Sequence, residues 1–353
     1  MRFSGWERVT ITLDTPIEGQ GGQMVNRVPA IAPVIVSASR STDIPAFYGE
    51  WFMHRLNRGY VRWVNPWNRQ GTCVSFARTR AIAFWSKNPA PFLPHIPTID
   101  AAGFSTYFLF TLNDYDAEGL EPGIPRLADR VMTFTRLSEL VGPGRVVWRF
   151  DPLIVSDTLT VRNLLDRVCE LGDRISPFTR RLVFSFVDIA RYPRVRRNLE
   201  AAGCSGAREF TSHEVRDFCT GLQEKNKEWG MHISACGEGA DLLLYGIHRG
   251  GCISPSLLAE EFPGDTGLQQ FLYPAGQQPL PGDEDALLRR LKDPGQRRFC
   301  GCIASKDIGQ YGTCPHLCSY CYANTSQDRV RSAFTRHQEF VRKGRYPASI
   351  TGD

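Results

Sequence analysis

Seven short apolar runs recur along the first two thirds of the chain, and each is separated from the next by a longer polar stretch. They are PVIVSAS (33–39), YVRWVNP (60–66), AIAFWSK (81–87), TYFLFTLN (106–113), RVVWRFDP (145–152), RLVFSFVD (181–188) and MHISACGE (231–238). Their richness in Val, Ile, Phe and Trp suits strands buried on both faces, as in a parallel sheet. Helix signals lie between them. In STDIPAFYGEWFMHRLNRG, Asp43 can cap a helix, Pro45 suits its first turn and Gly59 can end it. Tyr48, Trp51, Phe52 and Leu56 then form one apolar face. PRLADRVMTFTRLSELVG and EVRDFCTGLQEKNKEWG repeat the design. The alternation between residues 33 and 238 predicts an α/β fold, a (β/α) TIM-type barrel, complete or partial. A doubly wound open sheet would give a similar pattern.

The composition is that of a globular protein: 353 residues, 42% hydrophobic and 22% charged. No run of 18 apolar residues appears, so no membrane partner is expected. The N-terminus, MRFSGWERVTITLDTP, carries charges where a signal peptide needs an apolar core, which makes the cytoplasm the expected location. A net charge of +5 is too slight to argue for nucleic acid. The segment after Asn324 holds Arg329, Arg331, Arg336, Arg342, Lys343 and Arg345 but also Asp328, Glu339 and Asp353, and reads as a solvated, basic polar tail.

Eleven cysteines call for explanation in a reducing compartment, and five of them crowd into residues 300–321. In CPHLCSYCYAN (314–324), Cys314, Cys318 and Cys321 can each give a thiolate to a [4Fe–4S] cluster. Three ligands leave one iron without a protein donor. In radical S-adenosylmethionine (SAM) enzymes SAM chelates that iron, and the cofactors carry the hard chemistry. Tyr320 stands where such motifs place an aromatic residue near the adenine, and Asn324 and Glu238 are expected on the cofactor as well. Cys236, Cys252, Cys300 and Cys302 together make a full ligand set for a second, auxiliary [4Fe–4S] cluster. Two alternatives stay open: a zinc site from Cys300, Cys302, Cys314 and His316, and a structural or electron-carrying cluster with four cysteines, to which Cys302 could contribute. Cys169 and Cys219 lie in helix-like stretches and read as small buried hydrophobes.

Polar residues gather where the predicted strands end: Ser39 to Asp43, Asn65 and Asn68, Ser86 to Asn88, Thr111 and Asn113, Arg149 and Asp151, Ser185 and Asp188, Cys236 and Glu238. In a parallel α/β fold those ends surround the ligand crevice. Arg40, Asp43, Arg149, Asp151 and Asp188 are the candidate catalytic residues, with Asp43 equally suited to a plain helix cap. A charge beside a buried strand is costly unless paired or used.

The stretches SASRSTDIPAFY (37–48), FLFTLNDY (108–115), VVWRFDPLI (146–154), SACGEG with YGIHRGGCIS, and CGCIASKDIGQYGTCPHLCSYCYAN (300–324) resemble the bacterial domain-of-unknown-function family 1848. That family is similar to radical SAM proteins, including those of the spore photoproduct lyase type, with the cluster motif displaced to the C-terminus. The resemblance implies a barrel-like fold and iron–sulfur binding, and it implies no substrate. Lys306 replaces a small apolar residue of the family's segment, a change of charge beside the expected cluster. The expected division is a barrel domain at 1–265, a connector at 266–299 with one short helix, an iron–sulfur segment at 300–325 and the tail at 326–353. Expected partners are a small-molecule substrate, its anionic groups held by Arg40 and Arg149, and a reductase such as a flavodoxin or ferredoxin. Nucleic acid is the less favoured alternative.

Overall fold

The computed structural model describes residues 3–18, 24–274 and 284–352. In chain order its strands are β1 (Glu7–Glu18), β2 (Met24–Ala32), β3 (Ile35–Ala38), β4 (Tyr60–Val64), β5 (Gly71–Ser75), β6 (Ala81–Ser86), β7 (Ser105–Thr111), β8 (Val146–Leu153), β9 (Arg181–Phe186), β10 (His232–Ala235), β11 (Ile247–Arg249) and β12 (Lys306–Asp307). The main sheet has eight strands in the order β11-β10-β9-β8-β7-β6-β3-β12, every adjacent pair parallel. Its end strands, β11 and β12, do not pair with each other among the described residues. The chain is therefore α/β with a large parallel sheet.

The run YVRWVNP is not part of that sheet. It forms β4, which pairs antiparallel with β5 in a second sheet of order β1-β2-β5-β4. Only residues 65–70 separate β4 from β5, too few for the crossover a parallel neighbour needs. The charged N-terminal stretch supplies β1. Two helices, Ile44–Phe47 and Gly49–Arg58, connect β3 to β4; the second closes at Gly59, whose φ of 80° is a left-handed cap.

Side chains alternate across the main sheet and build two cores. On one face Ile82, Phe84, Phe108, Phe110, Trp148 and Phe184 meet the connecting helices. On the other face Ala81, Ala83, Leu109, Val147 and Val183 leave room, and residues 252–303 fill it. There the helices Pro255–Glu261, Thr266–Leu272 and Glu284–Leu291 bury Leu257, Leu268, Leu272, Leu287 and Leu291. The expected connector thus lines the sheet, apart from 275–283, which lie outside the described residues. Each such leucine, fully buried, contributes about 1.5–3 kcal/mol of hydrophobic stabilisation.

Residues 326–352 also differ from the expected solvated tail. Ser326 caps a helix over Gln327–Arg342 that buries Val330 and His337. Phe334 packs edge-on against Phe47 and Tyr48 at 5.5 and 5.9 Å. Beyond the helix, Pro347 accepts from Trp51 Nε1 at 2.8 Å and Ala348 accepts from the backbone N–H of Arg62 at 2.8 Å. Among the described residues no helix is long and apolar enough to cross a membrane.

Candidate metal centre

The two groups of cysteines meet the main sheet at the edge where its strands end. Cys236 follows β10, its backbone N–H donating to Phe184 at 2.7 Å. Cys252 follows β11, and the segment carrying Cys300 and Cys302 runs alongside: Gly301 donates to Gly250 at 2.9 Å and Ile303 to Ile253 at 3.1 Å. A Cβ at Gly251 would stand 2.3 Å from the Gly301 carbonyl oxygen, so only glycine lets the two segments approach this closely. All four cysteines are buried.

Their thiols are in contact as a ring. Cys252 and Cys236 Sγ lie 3.9 Å apart, and Ile253 N–H donates to Cys302 Sγ at 3.4 Å. Cys236 accepts from Cys252, and the neighbouring thiols of Cys252 and Cys300 hold Cys236 and Cys302 well below the usual thiol range against the cost of burial. Cys252 and Cys300, as donors in a buried site, are held above it.

Two of the expected catalytic residues serve this ring. Arg149 faces Cys236 and Cys252, and Arg40 faces Cys302; both charges favour thiolate. The two guanidinium groups flank Trp85, at 5.2 Å for Arg40 and 4.6 Å for Arg149. Arg40 also contacts Asp307, whose carboxylate accepts from the Arg40 backbone N–H at 2.8 Å, and donates to Ser305 Oγ at 3.1 Å. Asp151 pairs with Arg149 and accepts from Ser185. Asp188 takes the Arg191 N–H at 3.1 Å and lies 3.8 Å from Arg297. Each of these charges meets an opposite charge, although the buried Arg149 Nε has no hydrogen-bond partner. Glu238 accepts from the Phe186 N–H at 3.1 Å, and burial pushes its carboxyl up to about 7.

Cys314, Cys318 and Cys321 occupy a loop laid over the same edge after β12. Burial, then the charges of Asp43 and Cys321, push the Cys314 thiol up to about 12. Burial likewise raises Cys318 and Cys321, with Lys87 acting in the opposite direction. Side chains elsewhere in the fold hold the loop. Asp43 caps the helix at Ala46 N–H (3.0 Å), accepts from Lys87 N–H (2.7 Å) and meets His316 Nε2 at 2.7 Å. His316 Nδ1 meets the Gly123 carbonyl at 3.0 Å, so both ring nitrogens face acceptors. Desolvation works against the Asp43 carboxylate, but His316 and the Lys87 N–H outweigh it and keep it below its ordinary range.

Tyr320 is pinned by its hydroxyl. It contacts Glu121 and takes hydrogen bonds from Lys87 Nζ at 2.8 Å and Asn113 Nδ2 at 3.0 Å. Glu121 is buried; desolvation opposes its charge, and Lys87 and Arg130 hold it ionised. Asn324 Nδ2 donates to the Cys314 carbonyl at 2.9 Å, while its Oδ1 is buried without a partner. Lys306 lies over the Trp63 ring at 3.2 Å, and burial lowers it to about 8.

Among the described residues no group of three or more His, Cys, Asp or Glu has the arrangement of a formed metal site. The donor chemistry nevertheless suits iron–sulfur ligation: four buried thiols beside two arginines, and three desolvated thiols in one loop whose protons a metal would displace. The zinc alternative does not fit, because His316 is committed to Asp43 and Gly123, and Cys300 and Cys302 face Cys236 and Cys252. Glu121, Asp307 and Trp85 were not among the expected site residues, although Trp85 lies in the run AIAFWSK and Asp307 in the stretch 300–324. A cavity of about 730 Å³ lies at the opposite end of the strands beside Val34 and Arg80, and Arg78 and Arg80 there already pair with Glu7 and Asp265.

A parallel-sheet α/β protein with two cysteine sets at one sheet edge is the class these features define. The family model described as Domain of unknown function (DUF1848) matches residues 35–323, and the chain belongs to that family. Neither a curated protein nor a solved structure gives a match.

Proposed function

We propose that the chain is an iron–sulfur enzyme of the radical SAM type, built on a partial barrel, with a closed four-cysteine site and an open three-cysteine site. The observation that supports this reading is the partition of seven cysteines at one sheet edge: Cys236, Cys252, Cys300 and Cys302 contact one another, while Cys314, Cys318 and Cys321 share a separate loop. Cys314, Cys318 and Cys321 would hold a [4Fe–4S] cluster, which would supply one-electron reduction of SAM. Cys236, Cys252, Cys300 and Cys302 would hold a second cluster, which would serve electron transfer from a flavodoxin- or ferredoxin-type reductase or anchor the segment.

The chain's own residues prepare both sites. Arg40 and Arg149 would offset negative charge on the four-cysteine site. Asp43 and His316 fix the start of the three-cysteine loop, and Lys87, Glu121 and Asn113 fix Tyr320. The test is anaerobic reconstitution followed by incubation with SAM and dithionite. Release of 5′-deoxyadenosine supports the reading. Bound iron without 5′-deoxyadenosine would turn it into an electron-transfer or structural iron–sulfur protein.

A further inference from the structure

Four aromatic rings cross the edge where the strands end, each in contact with the next. Trp67, between β4 and β5, lies 5.9 Å from Tyr311; Tyr311 lies 6.1 Å from Tyr322; Tyr322 stacks on Tyr192 at 5.5 Å with 27° between planes. Trp67 is 78% exposed and Tyr322 43%. Scattered exposed aromatics are ordinary, but a connected run of them beside a candidate site marks a binding surface. Tyr322 directly follows Cys321, so the run passes the three-cysteine loop.

Its Tyr192 end leads into a cationic helix. Arg191 sits 5.9 Å from the Tyr192 ring, and the helix Pro193–Ala201 exposes Arg194, Arg196 and Arg197 against a single acid, Glu200. Arg194, Arg196 and Arg197 have no ion-pair partner among the described residues. The metal sites make no use of these arginines or of Trp67.

We propose that this track binds a single-stranded nucleic acid. Bases stack on Trp67 and Tyr322, phosphates meet the arginines of 191–197, and one nucleotide comes to rest beside the three-cysteine loop. Stacking rings next to unpaired cations are the chemistry of single-strand binding, in which every base offers a π-face and the backbone supplies charge. A duplex would keep its bases from the rings. An acidic peptide would meet the arginines but leave the rings unused. The delivery of a nucleotide to the loop rests on the function proposed above; the binding itself does not.

The experiment is fluorescence anisotropy of a short labelled oligo(dT) with the reconstituted protein over a series of salt concentrations. Binding should quench tryptophan fluorescence and weaken with salt. Trp67→Ala, at an exposed ring, should leave folding and iron content unchanged and weaken binding about tenfold. Replacing Arg194, Arg196 and Arg197 together with alanine should reduce the salt slope by about two. Absence of binding at low salt, binding indifferent to Trp67→Ala, or equal binding of a duplex of the same sequence would overturn the proposal. Because the readout is binding, its failure leaves SAM cleavage standing, and loss of SAM cleavage leaves it standing.

Discussion

The two cysteine sets differ in how the chain assembles them. The three-cysteine loop draws all its thiols from residues 314–321, so its ligands are close in sequence and need only a local turn to meet. The four-cysteine site draws on the ends of β10 and β11 and on a segment nearly fifty residues later (Cys252 to Cys300). That site exists only when the sheet has formed. The loop has the opposite weakness: its thiols are adjacent, but its placement depends on Asp43, Asn113, Glu121 and the C-terminal helix. One set is positioned by backbone pairing, the other by side-chain anchors together with two backbone hydrogen bonds, Gly123 N–H to His316 and Ser319 N–H to Leu120.

Changes that strike one set and spare the other test this contrast. The largest effect is expected for Cys236→Ser with Cys252→Ser, which should lower iron from about eight to about four per chain while the three-cysteine cluster remains. Full iron content in that variant would return the two residues to the role of core thiols. Next is Asp43→Ala, which removes a helix cap and leaves His316 buried without its carboxylate. Urea unfolding should show a loss of about 3–5 kcal/mol, and SAM-linked activity should fall more than iron at the four-cysteine site.

Acid should act on the same loop through the C-terminal helix. His337 is buried, and burial lowers it to about 4. Its folded value lies below its unfolded one, so its contribution is fully present above about 6.5 and is lost as pH falls toward 4, up to about 3 kcal/mol. The helix should therefore loosen over that window, seen by hydrogen exchange, and His337→Phe should flatten the dependence. The smallest effect is Asn324→Ala, which removes one hydrogen bond to the Cys314 carbonyl and should cost about 1 kcal/mol, read as a small drop in unfolding midpoint.

The contrast also explains what could be read from the sequence. Continuous apolar runs such as AIAFWSK and TYFLFTLN announce strands buried on both faces, and six of the seven runs lie in the main sheet. YVRWVNP misled because composition does not record which sheet a strand joins; the short gap to β5 does. Residues 266–299 read as a connector with one short helix because Pro and Gly surround it, although the helices Thr266–Leu272 and Glu284–Leu291 lay their leucines on the small-residue face of the sheet. Arg40 and Arg149 stood out as charges next to buried strands; Asp151 beside Arg149 was visible, but the cysteines near both and the Asp307 that meets Arg40 are distant residues that only the fold brings near. Glu121 and Asp307 had no local signature, since each acts through a partner far away in sequence.

The central claim is that one set is closed and the other open. EPR of the anaerobically reduced protein, recorded with and without SAM in the native chain and in the Cys236→Ser/Cys252→Ser variant, tests it most directly. The account predicts two overlapping signals in the native chain, only one of which SAM changes, and a single signal still changed by SAM in the variant. A SAM-responsive signal that disappears with Cys236 and Cys252, or a reduced spectrum that SAM leaves unaltered in both proteins, would contradict it.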